Sequence, residues 1–86
     1  IVQTSVDLYP IPASSDLVQI DFDALVSGEM LLSIYDVSGR MVQQEARSIQ
    51  AGANNLPLRV AGLTAGIYQV QLQMEHETVA KKLVIE

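Results

Sequence analysis

The chain has no cysteine and no tryptophan, and only 5% of its residues are aromatic. Lacking cysteine, it has no disulfides, no thiolate metal ligands and no cysteine nucleophile. This fixes no compartment, because a secreted bacterial domain can do without disulfide staples. With so few aromatic residues, a core must be built mostly from Leu, Ile, Val and Ala. Bases are scarce as well: Arg40, Arg47, Arg59, Lys81 and Lys82 are all there are. Residues 1–39 carry six acids (Asp7, Asp16, Asp21, Asp23, Glu29, Asp36) and no base, and the net charge is −5. Nucleic acid is therefore not an expected partner, since phosphate binding needs a basic face. No apolar run approaches the ~20 residues of a membrane-crossing helix, so no membrane insertion is expected. No amino-terminal signal peptide is visible, which suggests an intracellular chain or a piece cut from a longer precursor.

What is present is a regular alternation. From Tyr68 the apolar residues fall at every second place (Tyr68, Val70, Leu72, Met74), with Gln69, Gln71 and Gln73 between them. Successive strand side chains point to opposite faces, so this stretch is a half-buried strand; a period of two would scatter its apolar residues around a helix. Val18, Ile20 and Phe22 alternate with Gln19, Asp21 and Asp23 in the same way. Residues 30–37 (Met-Leu-Leu-Ser-Ile-Tyr-Asp-Val) are apolar enough for a central strand covered on both faces. Residues 41–49 form a more polar strand, expected near an edge. Residues 55–60 form a short strand whose Pro57 also points to an edge. Residues 78–85 form the last strand. Turns are expected at 27–29, 38–39, 50–54, 61–66 and 75–77. Gly28, Gly39, Gly52 and Gly62 lie 11, 13 and 10 residues apart, the spacing of turns between short antiparallel strands. The 86 residues, 49% hydrophobic and 17% charged, suit one small domain. The expected fold is all-β: a seven-stranded antiparallel immunoglobulin-like β-sandwich with Greek-key connections. Residues 1–7 are read as a first strand or a linker remnant, and 8–86 as the domain.

Candidate chemistry is thin. His76 is the only histidine and stands between Glu75 and Glu77. Nothing in its spacing from Ser14, Ser27, Ser33, Ser38 or Ser48 favours a nucleophilic triad, and a solvated turn residue is the simpler reading. The pairs Asp21/Asp23 and Glu75/Glu77 could share a face, but a glycosidase also needs a sugar cleft, and aromatic residues are few. No stretch resembles a calcium loop with acids at every second place, and there is no glycine-rich phosphate loop. No catalytic residue, metal site or cofactor is expected, and the chain is not read as an enzyme. Tyr68 has a structural reading: a Tyr just after a turn can send its hydroxyl back to backbone upstream and brace the corner.

Several stretches gain meaning together. Leu8-Tyr9-Pro10-Ile11-Pro12-Ala13-Ser14-Ser15-Asp16 is similar to the "YPNPASD" opening of the type A carboxy-terminal sorting domain of the type IX secretion system. Ile34-Tyr35-Asp36-Val37-Ser38-Gly39-Arg40 resembles its "DxxGR/K" motif, and Gln50-Ala51-Gly52-Ala53-Asn54 its glycine-asparagine turn. Leu63-Thr64-Ala65-Gly66-Ile67-Tyr68 resembles "LxAGxY", and Lys81-Lys82-Leu83-Val84-Ile85 the "KKLVV"-like end. The five occur in the family's order and together cover nearly the whole chain. One departure is that Ile11 stands where the family has Asn between the prolines, and Ile cannot cap a turn.

The resemblance implies a folded export signal at the end of a larger protein. That signal would be read in the periplasm by the secretion translocon and its shuttle proteins, which carry the attached cargo across the outer membrane. A cell-surface sortase of the cysteine-protease type would then remove it, leaving the cargo at the surface or outside the cell. The residues expected to carry the signal are Pro10, Pro12, Asp16, Asp36, Gly39, Arg40, Gly52, Leu63, Gly66, Tyr68, Lys81, Lys82, Leu83, Val84 and Ile85. Read from the residues alone, Lys81 and Lys82 protect an edge strand from aggregation, and the Asp36-to-Arg40 stretch is a tight turn closed by a weak surface ion pair. The terminal strand is a candidate for docking by strand addition. An exposed edge leaves a homodimer open. The alternative function is an immunoglobulin-like adhesive or carbohydrate-binding module of an extracellular enzyme.

Overall fold

The computed structural model describes residues 6–9, 17–75 and 77–86. Among them are seven strands: β1 (Val6–Tyr9), β2 (Leu17–Ala24), β3 (Gly28–Tyr35), β4 (Met41–Ile49), β5 (Gly52–Arg59), β6 (Gly66–Gln73) and β7 (Thr78–Ile85). They form two antiparallel sheets, one ordered β1-β2-β5 and the other β4-β3-β6-β7. The stretches read as 1–7, 10–16 and His76 as a turn residue fall wholly or partly outside the described residues. Strand β1 runs across position 7/8, where the motif-bearing region was set to begin.

The alternation in the sequence builds the core directly. Val18, Ile20 and Phe22 of β2 face Met30, Leu32 and Ile34 of β3, Val70 and Leu72 of β6, and Leu83 of β7 within one buried cluster. Burying a side chain of this kind contributes roughly 1.5–3 kcal/mol, and Ile20, Leu32, Ile34, Leu58, Leu72 and Leu83 are all 1% exposed or less. The cluster draws on both sheets, so it is the layer that joins them.

Three expectations change. Strand β3 was read as 30–37 with both faces covered. It runs Gly28–Tyr35, and its outer residues Glu29 and Leu31 are exposed. Among the described residues, no second layer covers that face and only Ser33 is buried there; its hydroxyl accepts from Gln44 Nε2 at 3.0 Å. The 27–29 turn is accordingly shorter than expected, because Gly28 and Glu29 already pair with Ile49 and Ser48. Strand β5 was read as 55–60 but starts at Gly52. Asn54, placed in the 50–54 turn, stays in the strand and closes the turn with its side chain. It accepts from Gln50 N (3.1 Å) and donates to Gln50 O (2.8 Å) and Gly52 O (3.1 Å). Gly52 takes φ +97°, a conformation other residues rarely adopt. Both edge readings match the sheet order: β4 and β5 each end a sheet, and Pro57 lies in β5.

Candidate recognition site

The strand directions give the sandwich two distinct ends. At one end lie the turns β2–β3, β4–β5 and β6–β7 together with the start of β1. At the other lie the β3–β4 turn, the β5–β6 loop and the close of β7. Three of the stretches singled out in the sequence meet at this second end, called here the motif end.

The first is the β3–β4 turn. Asp36 Oδ1 accepts from Ser38 Oγ (2.6 Å), Ser38 N (3.0 Å) and Arg40 N (3.0 Å). The backbone closes the same turn, with Gly39 N donating to Asp36 O at 3.0 Å and Asp36 N to Arg40 O at 2.9 Å. Gly39 takes φ +86°, the left-handed conformation this turn requires. Arg40 Nε stands 3.5 Å from Asp36 Oδ2, but its side chain is 78% exposed, so this ion pair adds little. The hydroxyl of Ser38, then the amide of Arg40, hold the Asp36 carboxyl below its ordinary value. Asp36 is thus the brace of the turn. Arg40 and Val37 project from it, Val37 at 81% exposure.

The second is the β5–β6 loop. The Tyr68 hydroxyl donates to Thr64 O at 2.6 Å and lies 3.1 Å from Thr64 Oγ1. This is the corner brace expected of that Tyr. Its ring is buried, and Leu63 packs half-buried against the core. Gly66 pairs with Ile85 and opens β6 at φ +156° beside the Tyr68 ring.

The third is β7. Leu83 and Ile85 are buried and point into the core, while Val84 is half-buried on the outer face. Lys82 pairs with Gln69 and shares the outer face. Lys81 pairs with the buried Val70 and so stands on the core-facing side, yet it is exposed. Only an edge strand permits this, because its side chains can turn past the rim into water. Leu83 and Ile85 therefore anchor the terminal strand; what β7 presents at the surface is Lys81, Lys82 and part of Val84. At the rim, where Lys81 turns out past the edge, Asp36, Val37, Ile67, Gln69, Lys81 and Lys82 line one shallow depression. The β3–β4 turn, the start of β6 and the lysine pair are thereby one surface.

Gly52 is not part of it and lies at the opposite end. Pro10, Pro12 and Asp16 fall outside the described residues. Among the described residues, no group of three or more His, Cys, Asp or Glu is arranged to hold a metal ion.

Other polar residues matter that the sequence did not single out. Arg47 donates to Pro57 O at 2.8 Å and to Glu45 Oε1 at 3.1 Å, and Gln43 Nε2 donates to Arg59 O at 2.9 Å. These β4 side chains cap carbonyls of β5 and tie the two sheets along one side. The only sequence signal was polar residues (Gln43, Glu45, Arg47) at alternate places in phase with Ile49. On the outer face of the three-stranded sheet, Tyr9 donates to Asp21 Oδ2 (2.9 Å) and accepts from Asn55 Nδ2 (3.0 Å), and Asn55 also donates to Asp21. This joins β1, β2 and β5. The bond to Asp21 holds the Tyr9 proton and raises its pKa above the ordinary value.

With this geometry in view, comparison with known proteins is decisive. The family model for the secretion system C-terminal sorting domain matches residues 7–86. The chain belongs to this family. The sorting domain is the signal of type IX secretion and directs export to the cell surface or the extracellular space. No curated protein matches. Among solved structures, the crystal structure of dimeric latent PorU from Porphyromonas gingivalis is similar, with TM-score 0.69 and 15% identity. The match covers 99% of this chain and 10% of that one, so the chain spans about a tenth of that protein's length. At this identity the likeness speaks for the fold alone.

Proposed function

We propose that this sorting domain is read as a folded object at its motif end and along β7, which ends its sheet. One observation carries this: the β3–β4 turn, the opening of β6 and the Lys81–Lys82 pair line one surface beside an edge strand. A translocon component or shuttle protein adds backbone hydrogen bonds along β7, and the two lysines and the turn set its register. The cargo precedes the domain. A cell-surface sortase of the cysteine-protease type removes the domain once the cargo has crossed the outer membrane. The chain is then a substrate and recognition element with no catalytic role of its own.

We read the sheets as an immunoglobulin-like sandwich with Greek-key connections. Strand order supports this, since β3, β4, β6 and β7 make one sheet while β5 returns to pair with β2. The aromatic residues lend the carbohydrate-binding reading little: Phe22 and Tyr68 are in the core, the Tyr9 hydroxyl is engaged by Asp21 and Asn55, and Tyr35 stands alone and half-buried on the other sheet.

A reporter fused ahead of residues 1–86 tests the function. In a bacterium with the type IX system the fusion reaches the cell surface, and in the same strain without its translocon it stays in the periplasm. Surface display in both strains, or in neither, overturns the reading.

A further inference from the structure

The end of the sandwich opposite the motif end carries an apolar recess. Ala24, Leu25, Val26, Ile49 and Met74 line it. Ala24 and Ile49 belong to the buried core, so the recess is where the core opens at this end. Leu25 and Val26, neighbours in the β2–β3 turn, are 69% and 43% exposed. Glu29, Glu75 and Glu77 line the same recess. A second copy approaching by this end would set those carboxylates against their own counterparts, so the recess does not suit a symmetric contact.

The chain that leads into β1 arrives beside this recess. β1 is antiparallel to β2 with Val6 opposite Phe22, so the residues before Val6 head toward Ala24 and the β2–β3 turn. β1 also lies alongside β7, which follows the turn that supplies Met74, Glu75 and Glu77 to the recess. Ile1-Val2-Gln3-Thr4-Ser5 precede Val6 and lie outside the described residues. Extended, five residues reach about 16 Å, whereas Ala24 stands only about 7 Å beyond Phe22 along β2. The segment carries no charge and contains two branched apolar residues, Ile1 and Val2. Val6 and Leu8 pack on the core side of β1. Continued in that phase, Val2 and Thr4 share the core side, and Ile1 and Gln3 the other.

We infer that residues 1–5 continue β1 past Phe22 and lay Val2 into this recess, over Ala24, Met74 and the exposed pair Leu25 and Val26. Apolar surface is removed from water on both partners. The segment is tethered at Val6, so its effective concentration at the recess far exceeds that of a free partner. Being uncharged, it meets Glu29, Glu75 and Glu77 without repulsion. The recess lies at the end opposite the surface proposed to be read, so this docking stands whether or not that reading holds. Its consequence is that the point where a preceding cargo joins is fixed to the folded domain.

Proton NOE spectra of the methyl-labelled 86-residue chain test this. The expected result is a set of NOEs from the Val2 methyls to those of Val26 and Met74. Val2→Asp would place a carboxylate in an apolar recess beside three glutamates, so it abolishes the docking. It removes the NOEs from residues 1–5 and makes the Leu25 and Val26 methyls more open to a soluble paramagnetic probe. Val6 onward stays paired, so the domain remains folded, with a melting temperature lower by at most a few degrees. Gln3→Ala, on the other side of the segment, changes neither readout. Absence of NOEs between Val2 and the recess overturns the inference. So does a probe response at Leu25 and Val26 that ignores Val2→Asp. Contacts seen only between differently labelled chains would give the recess to a second copy and overturn it as well.

Discussion

The two edges of the four-stranded sheet, β4 and β7, solve the same problem in different ways. Both end a sheet, and unpaired backbone on a sheet edge invites other strands. β4 is tied down: Arg47 and Gln43 reach across to carbonyls of β5 at 2.8 and 2.9 Å, and Glu45 steadies Arg47. Along β7, among the described residues, the corresponding places hold Lys81 and Lys82, both exposed. Lysines discourage unspecific pairing without occupying the backbone groups, so a partner that neutralises them can still pair. The difference separates an edge tied to the other sheet from one flanked by exposed lysines; under the proposed function, the second is the edge that is read.

The largest expected effects come from what holds β7 against the core. Leu83→Ala, at a fully buried site, costs about 2–5 kcal/mol in thermal or denaturant unfolding. Tyr68, the partner of Leu83 in register, behaves similarly: Tyr68→Ala costs about 3–5 kcal/mol. Tyr68→Phe loses only the hydroxyl's bonds to Thr64, about 1 kcal/mol. Equal losses for the two Tyr68 variants would remove the corner brace from the account. On the closed side, Arg47→Ala frees the Pro57 carbonyl and costs about 1 kcal/mol by denaturant unfolding, without affecting export. The Asp36 turn gives a smaller, pH-dependent effect. Its folded-state carboxyl is depressed, so it stabilises the fold above its ordinary value near 3.8 and loses that contribution as pH falls through the lower folded value. Asp36→Asn is therefore less stable than the parent at neutral pH, and the gap narrows on acidification below about pH 4, read as melting temperature against pH. A constant gap would mean that the carboxylate charge plays no part. Smallest of all, Lys81→Ala and Lys82→Ala leave stability within about 0.5 kcal/mol, as exposed substitutions do.

Much of this was legible in the residues because a period of two reports directly on burial. Tyr68, Val70 and Leu72 are buried as their alternation requires, and Pro57 marked an edge. Misreadings arose where a side chain substitutes for backbone. Asn54 let β5 begin earlier than its turn-like composition suggested, and Asp36 ended β3 before its apolar run did. The apolar run of β3 also suggested two covered faces, whereas Leu31 is left outside. At the motif end, each stretch was visible alone. Their convergence was not, because it depends on which strands are neighbours. The roles of Leu83 and Ile85 also needed the fold: they anchor β7, so removing the last five residues would damage the core itself.

For that reason, the most direct measurement compares the two edges by charge and bonding in domains that still fold. Two variants of the reporter fusion, Lys81→Glu with Lys82→Glu and Gln43→Ala with Arg47→Ala, are assayed for surface display after their folded state is verified by thermal unfolding. The account predicts that the β7 variant stays folded and is not displayed, while the β4 variant is somewhat less stable and is displayed normally. Normal display of a folded β7 variant, or equal loss from both, would contradict it.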